Sequence, residues 1–464
     1  MTRFALDGSV RRVDGGRALI GGSPLKVYRL TNAGAAIVDT IAKGRDVEVR
    51  AFVDRLVDGG VIHPQPERGP FSSADVTVVI PAHQKPVDAV VVACAGAGRI
   101  IVVDDASPIA LRAPQGSELV RHERNLGPAA ARNTGLALVT TPLVAFLDDD
   151  TAAPVGWLEP LLAHFADDRV AFVAPRVEST AGAIALARYE RCRSPLDLGQ
   201  TAARVRPRTR VSYVPAAAIL LRTQVVRDLG GFDATMRVGE DVDLVWRIEE
   251  QGWRGRYEPR VVVGHQPRTT MRTWLAQRFG YGSSAAPLAM RHHEAVSPLT
   301  VSGWSVAAWG LAVAGHPVAG ASVTTGTAAL LTRKLHGLDE PVPEALRLAG
   351  LGTLFAGRQI ASSVTRTWWP LALAAALVSK RARRALAAAI LVPALIEYVQ
   401  KRPDLDPACW IALRALDDGA YGAGVWAGCL RAGSFAALRP DLTSWPRLSR
   451  YEARRGTRAV GPVS

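Results

Sequence analysis

The spacing of apolar residues changes twice along this chain, and each change marks a new segment. Near the N-terminus apolar positions recur at helical intervals between residues 49 and 57, and Gly59 follows as a helix stop. An earlier helix is predicted to begin at Thr31, a good capping residue. Residues 64–70 hold three prolines and a glycine, which predict a stiff linker. We therefore expect residues 1–70 to be a small domain with its linker, able to fold alone.

From residue 75 onward, short β-branched runs alternate with helical stretches. The runs are residues 76–80, 100–103, 143–147 and 170–174. This alternation predicts an α/β domain over residues 71–296, with a parallel sheet covered by helices. Ligands bind such sheets at the carboxyl ends of the strands. Polar residues follow three of the runs at that position, in Pro81-Ala82-His83, Asp104-Asp105 and Asp148-Asp149-Asp150.

The third segment, residues 297–464, is rich in Ala, Leu and Trp and predicts a helical, membrane-associated region. Residues 295–332 carry no Asp, Glu, Lys or Arg, a run longer than the roughly 20 residues that span a bilayer. Many Gly, Ser and Thr weaken its hydrophobicity, so the number of true spans stays open. The basic cluster at residues 380–384 favours a cytoplasmic position. A helical bundle in water is the alternative.

Charge and cysteine content narrow the class of protein. Among 464 residues, 56 Lys and Arg outnumber 42 Asp and Glu, which gives a net charge of +14. Because this excess lies partly beside apolar helices and no aromatic-basic surface accompanies it, anionic membrane lipids are predicted as partners and nucleic acid is not. Four cysteines fit neither a disulfide framework nor a zinc site, and the start lacks the layout of a secretory signal. The expected location is the cytoplasmic face of the cell membrane.

The densest chemical signal is the acidic triplet Asp148, Asp149 and Asp150, directly after an apolar run. Two carboxylates about 5 Å apart repel by roughly 3 kcal/mol at an effective dielectric of about 20. A divalent metal, Mg or Mn, carrying a diphosphate would compensate this repulsion with the hard oxygen ligands it prefers. A solvated acidic turn is the alternative, but polar ends on three strands favour the functional interpretation.

Two predicted helix starts add candidate residues. Pro128 suits a first helical position, and Arg132 one turn later could reach a phosphate or a base, or be an ordinary exposed helix residue. A second helix is predicted near Glu240, with Asp241 on the same face as the apolar Leu244. At that position Asp241 is either a partner of the helix dipole or a general base aimed into the cleft.

Taken in order, these motifs resemble family 2 glycosyltransferases of GT-A fold over about residues 75–290. The resemblance implies that Pro81, Asp105 and Arg132 bind the nucleotide-sugar donor. It also implies that Asp148 and Asp150 form the metal-binding DxD and that Asp241 is the base. The triplet allows two registers, so Asp149 can replace either neighbour as ribose or metal contact. Residues 277–279 are similar to a degenerate Gln-x-x-Arg-Trp signature, and the acceptor or diphosphate contacts then implied are Glu240, Gln277 and Arg278.

The N-terminal segment resembles the PqqD-like winged-helix domain, a peptide-recognition element. Joined to a family 2 domain and a basic, Ala- and Trp-rich tail, it is similar to the glycosyltransferases of the mycofactocin system. This resemblance implies inverting transfer of glucose from UDP-glucose onto a peptide-derived redox cofactor precursor, in β-1,4-linked units, and contact with peptide-maturation proteins. Two rivals remain, namely a transferase acting on polyprenyl phosphate or a cell-envelope polysaccharide, and a non-catalytic adaptor.

Overall fold

A computed structural model describes residues 2–293 and 295–444. Its N-terminal module, residues 1–70, contains a three-stranded antiparallel sheet, a separate strand pair and two helices. In chain order they are β1 (Phe4–Leu6), β2 (Arg11–Val13), β3 (Ala18–Gly21), β4 (Lys26–Arg29), α1 (Asn32–Ala42), α2 (Ala51–Asp58) and β5 (Ile62–Pro64). β2, β3 and β4 form the sheet, and β1 pairs with β5.

In the N-terminal module, α1 begins and α2 ends where the sequence predicts. The Thr31 side chain accepts a hydrogen bond from the Gly34 amide at 3.1 Å and so caps α1, while Gly59 follows α2. Val38 and Leu56 are fully buried in a core that the module builds for itself. The winged-helix assignment stays a prediction.

The central domain is built on a nine-stranded mixed sheet. Its strands are β6 (Val76–Ala82), β7 (Arg99–Asp104), β8 (Glu118–Arg121), β9 (Leu143–Leu147), β10 (Thr151–Ala152), β11 (Val170–Ser179), β12 (Ala203–Val205), β13 (Ala218–Arg222) and β14 (Arg254–His265). The strand order is β10-β14-β11-β13-β9-β6-β7-β8, and β12 pairs with β14. β13 runs antiparallel between β9 and β11, so the expectation of a purely parallel sheet was wrong.

Helices cover both faces of this sheet. They are α3 (Asp88–Ala93), α4 (Pro128–Ala137), α5 (Glu159–Leu162), α6 (Ala185–Arg193), α7 (Thr223–Asp228), α8 (Glu240–Glu250), α9 (Met271–Ser283) and α10 (Ala285–Arg291). Adjacent residues of β6 pack on opposite faces of the sheet, since Val78 lies in one apolar cluster and Val79 in the other. Burial on both faces explains why the strands read as continuous apolar runs rather than as alternating ones.

The predicted juxtaposition of strand ends is confirmed. β6 pairs in parallel with β7 on one side and with β9 on the other, and Val79 lies opposite both Ile101 and Phe146. The carboxyl ends of all three strands therefore meet at one edge, where His83, Asp105 and the acidic triplet follow.

The remaining elements follow the central domain along the chain. They are β15 (Thr300–Ser302), α11 (Gly303–Val313), α12 (Pro317–Lys334), α13 (Pro341–Arg366), α14 (Trp369–Val378), α15 (Lys380–Lys401), α16 (Pro407–Ala432) and β16 (Asp441–Thr443). One compact unit comprises Met1–Val296 with Ala394–Ala437, and the other comprises Ser297–Pro393 with Leu438–Ser464. The N-terminal module and α16 thus belong to the unit that holds the central sheet.

Glycines allow α16 to approach α9 closely. A Cβ on Gly282 would lie 1.9 Å from the backbone oxygen of Tyr421, and one on Gly424 would lie 2.0 Å from the backbone oxygen of Phe279. These separations are far below van der Waals contact, so side chains at either position would force the helices apart. This close approach explains how a distant C-terminal helix becomes part of the first unit.

In the second unit, the uncharged run at residues 295–332 forms α11 and most of α12. Across the described residues, no helix combines the length and the apolar character needed to cross a membrane. Membrane association of this region stays a prediction.

Candidate active site

The three carboxylates of the acidic triplet have different partners. Asp148 accepts a hydrogen bond from Nη2 of Arg132 at 2.7 Å, and Asp149 accepts one from the backbone amide of His83 at 2.9 Å. Asp150 accepts one from Nζ of Lys85 at 2.7 Å. The crowding of charge predicted at this strand end is therefore real, and Arg132 on α4 and Lys85 in the loop after β6 compensate it.

The pKa values of Asp149 and Asp150 shift in opposite directions. Burial raises the pKa of Asp149, and the His83 amide and the Lys85 charge only partly oppose it. Burial also raises the pKa of Asp150, but His265, Lys85 and Arg268 together outweigh it and leave that pKa lowered. The surroundings of Asp150 therefore favour its ionised form, which is the form in which a carboxylate binds a metal.

His265 is a residue of this site that the sequence interpretation missed. It ends β14, where the pairing with β10 places it opposite Thr151, and its Nε2 lies 3.4 Å from Oδ1 of Asp150. Burial lowers the pKa of His265, which favours the neutral imidazole that binds metals. A histidine that closely follows the three valines at residues 261–263 was the available signal.

Arg132 lies between the end of β9 and the start of α8. Its Nη1 donates to Glu240 at 2.8 Å while Nη2 donates to Asp148, and the guanidinium lies 5.4 Å from the centre of the Phe232 ring. Arg132 is only 4 % exposed. The structure thus makes it a buried bridge between two carboxylates, and its predicted donor contact stays a prediction.

Asp241, the predicted base, lies in the first turn of α8. One carboxylate oxygen accepts from the amide of Ala216 at 3.2 Å and the other from the amide of Val242 at 2.8 Å. Burial raises the pKa of Asp241 against the opposing charge of Arg132. Burial and the neighbouring Asp241 also raise the pKa of Glu240. A raised pKa makes a carboxylate a better proton acceptor near neutral pH.

Asp105 organises the loop that leads into α4. Its carboxylate accepts hydrogen bonds from the amides of Leu126 and Gly127 at 2.8 and 2.7 Å, and it lies 2.8 Å from Nδ1 of His122. Gly127 adopts a φ of 90°, which favours glycine at this turn. Pro81 lies buried near the end of β6. Both residues border the strand edge as predicted, and their donor contacts stay predictions.

Arg278 lies in a buried network formed by three helices. It pairs with Glu190 of α6, and its Nε lies 3.0 Å from Asp417 of α16. Arg278 is 1 % exposed and lies 5.3 Å from the Trp274 ring centre. Gln277 beside it is partly exposed. The contacts of Arg278 indicate a structural role in joining helices, while the predicted acceptor or diphosphate contacts stay untested.

The donor atoms at the strand edge fit a divalent cation that shares its coordination with a substrate. Asp150 and His265 offer carboxylate and imidazole atoms, and the Asp148 side chain is a quarter exposed beside them. No group of three or more His, Cys, Asp and Glu side chains is arranged to hold a metal within the part of the chain that the structure describes. Mg²⁺ is commonly held by one or two carboxylates, phosphates and water, so an all-protein cage is not required.

Comparison with known proteins identifies the family of this chain. Residues 77–230 match the family model described as Glycosyl transferase family 2. The chain is 43 % identical over 460 residues to the "Pre-mycofactocin glycosyltransferase" of two Mycobacterium tuberculosis strains, CDC 1551 / Oshkosh and ATCC 25618 / H37Rv. The alignment covers 94 % of this chain and 97 % of the relative. The chain belongs to the pre-mycofactocin glycosyltransferase family. This identity extends over all three predicted segments.

More distant similarities cover smaller parts of the chain. The succinoglycan biosynthesis protein ExoU of Rhizobium meliloti is 31 % identical over 176 residues, 34 % of this chain and 50 % of the relative. Among solved structures, a mannosyltransferase from Pyrobaculum calidifontis in complex with GDP-Man and Mn²⁺ aligns with a TM-score of 0.39 and 16 % identity, over 76 % of this chain and 87 % of the other. The family match and the mixed α/β sheet agree with the predicted GT-A-type fold.

Proposed function

We propose that this protein transfers glucose from UDP-glucose to pre-mycofactocin, a peptide-derived redox cofactor precursor, and builds a β-1,4-linked oligoglucoside by inverting displacement. The similarity to the pre-mycofactocin glycosyltransferases of Mycobacterium tuberculosis along nearly the whole chain supports the acceptor. The choice of UDP-glucose and of the β-1,4 linkage rests on the resemblance to this family.

The observation that carries the proposed chemistry is the environment of Asp241. Its carboxylate is half-buried at the start of α8, beside the Arg132–Asp148 ion pair, and burial raises its pKa. In the proposed reaction Asp241 takes the proton of the acceptor hydroxyl as that oxygen attacks the anomeric carbon. The bond to UDP breaks on the opposite face, so one displacement inverts the anomeric centre.

At the donor side, Asp148 and Asp150 would hold a divalent cation, and His265 completes the set of available donor atoms. Such a cation would neutralise the charge that develops on the departing diphosphate. The chain itself supplies the fixed parts: Asp105 orders the loop before α4, and Arg132 keeps Asp148 in position. Preorganised charge of this kind is usually the largest single contribution to catalysis.

The two rival functions are less well supported. A non-catalytic adaptor would not need several carboxylates around one buried arginine, because removing these charges from water costs stability. A transferase acting on polyprenyl phosphate would suit the basic second unit, but the extended similarity favours the peptide-derived acceptor.

Mass spectrometry tests the proposed function directly. Extracts of cells with and without the protein should differ by species spaced by one hexose on the precursor. The purified chain should make the same species from UDP-glucose and Mn²⁺, with UDP-galactose as the matched donor control. Hexose appearing on a polyprenyl phosphate and absent from the precursor would instead establish the envelope rival.

We also propose that the second unit lies on an anionic membrane surface. At the end of α14, Leu377 and Val378 are 82 and 87 % exposed, directly before the basic residues Lys380 and Arg381. On α13, the exposed Leu354 and Phe355 lie on the same helical face as Arg358, one turn away, and Arg347, two turns away. Exposed apolar side chains flanked by positive charge are typical of helices in the lipid interface.

A further inference from the structure

The loop after β6 brings a lysine to the acidic triplet in a fixed way. The amide of Gln84 donates to Oγ of Ser107 at 2.9 Å, and Gln84 has a φ of 66°, which is uncommon for a residue with a side chain. The neighbouring His83 amide is held by Asp149. These contacts anchor the backbone on which Lys85 stands, while its side chain remains 35 % exposed.

The ammonium group of Lys85 serves two carboxylates together. Its Nζ lies 2.7 Å from an oxygen of Asp150 and 3.4 Å from an oxygen of Asp149. The other basic groups that act on Asp150 are His265, an imidazole rather than a permanent cation, and Arg268 at longer range. Among the described residues, Lys85 is therefore the permanent positive charge within ion-pair distance of Asp149 and Asp150.

Lys85 and a divalent cation require the same oxygens. A cation on Asp150 would lie close to the ammonium group, and the two positive charges would repel each other. A lysine is a compact point charge on a flexible stem, and it also binds phosphate oxygens. A donor diphosphate would therefore give the displaced ammonium group a new partner.

We propose that Lys85 is a tethered counter-ion of the acidic triplet, which exchanges Asp150 for the donor diphosphate when metal and donor bind. This inference rests on the proposed function, because it requires a metal-dependent donor. Its consequence is coupling: Lys85 weakens metal binding to the empty site and makes it depend on the donor. The site then binds metal and donor together rather than metal alone.

Calorimetry with Mn²⁺ on the full chain tests this coupling, with and without saturating UDP. Lys85→Met removes the charge and keeps most of the volume, so the Kd for Mn²⁺ alone should fall by about fivefold or more, the lower end of typical coupling between sites. The ratio of the Mn²⁺ Kd without UDP to that with UDP should fall as well. Lys85→Arg should keep the weak, donor-dependent binding, and Lys26→Met on β4 should change neither value.

The outcomes separate this inference from the metal assignment. Wild type that binds Mn²⁺ only with UDP, together with a Lys85→Met variant that does the same, would overturn the exchange and leave the metal site standing. Wild type that binds UDP equally well in chelator would overturn the metal assignment and the exchange together. A Lys85→Met variant that unfolds at a lower temperature by the same amount with and without Mn²⁺ and UDP would show that Lys85 is only a structural ion-pair partner.

Discussion

Asp58 of the N-terminal module lies 2.8 Å from Nη2 of Arg254, which is buried at the start of β14 in the central sheet. Asp54 on the same helix also pairs with Arg254, at 3.3 Å. The sequence predicts a module that folds alone behind a stiff linker. In the structure, these ion pairs hold the module against the central domain, and its carboxylates neutralise arginines of that domain. A docked module cannot swing freely to deliver a peptide.

We therefore expect the first unit to depend on its module for stability. Asp54→Ala with Asp58→Ala should lower the free energy of unfolding by about 2–4 kcal/mol, because Arg254 then loses two of the three carboxylates that it pairs with among the described residues. Asp39→Ala removes the more exposed pair with Arg12 and should cost about 0–1 kcal/mol. Denaturant titration of the full chain measures both. Equal small losses in the two variants would show that the contacts with Arg254 contribute little.

Asp241→Asn tests whether Asp241 acts as a general base or only as a partner of the helix dipole. The amide keeps the shape and cannot take a proton, so turnover should fall by about 10²- to 10⁴-fold while UDP binding stays near wild type. Asp228→Asn on the exposed end of α7 is the matched control. Activity within a few-fold of wild type in Asp241→Asn would leave this residue as a dipole partner only.

The raised pKa of Asp241 also predicts a pH profile. A base works when deprotonated, so activity falls as pH drops through its folded pKa. Because burial moves that pKa above 3.8, the acidic limb of kcat/KM should lie at higher pH than for an ordinary aspartate. Steady-state rates between pH 4 and 8 should show this limb, provided that circular dichroism finds the fold intact there. A flat profile down to pH 4 would contradict the assignment.

The local sequence pattern was sufficient to predict the strands and helix starts that carry the site. It was insufficient to predict the direction of a neighbouring strand and the residues that long-range contacts bring to the site. β9 follows from an apolar run, and the start of α8 follows from the helical spacing of residues after Gly239. The antiparallel β13 looks like any other buried strand, because its direction is set by pairing with β9 and β11 rather than by propensity. His265 and Lys85 were missed for the same reason: long-range pairing and a loop contact bring them to Asp150.

His265 should contribute to metal-dependent donor binding. If its imidazole is a ligand together with Asp150, His265→Ala should raise the Kd for Mn²⁺ in the presence of UDP by at least about tenfold, and Asp150→Ala should raise it at least as much. His336→Gln, an exposed histidine of the second unit, is the control. Calorimetry or Mn²⁺ spectroscopy measures the affinity. An unchanged Mn²⁺ Kd in His265→Ala would restrict the ligands to carboxylates.

Removing the charge of Arg132 should destabilise the first unit in a pH-dependent way. Arg132→Met leaves the buried Glu240 and the partly exposed Asp148 without their partner, a loss of about 3–5 kcal/mol near neutral pH. Burial already raises the pKa of Glu240, and loss of Arg132 should raise it further, so the defect should shrink as pH falls through that pKa. Thermal unfolding of Arg132→Met, Arg132→Lys and wild type at pH 5 and 7.5 tests this. A defect that is equal at both pH values would point to lost packing instead.

The exposed apolar residues of α14 should control binding to anionic vesicles. The full chain should float with vesicles that contain phosphatidylglycerol, and less well as salt rises, because Lys380 and Arg381 lie beside Leu377 and Val378. Leu377→Ser with Val378→Ser should weaken binding by at least about tenfold, since each side chain loses apolar burial. Lys380→Gln with Arg381→Gln should weaken binding and reduce its salt dependence. Leu25→Ser, at an exposed position of the N-terminal module, should have no effect.

Full-length protein that stays with the soluble fraction at low salt would refute the membrane proposal. Binding that is equal on zwitterionic vesicles would instead leave the apolar residues as the sole contact.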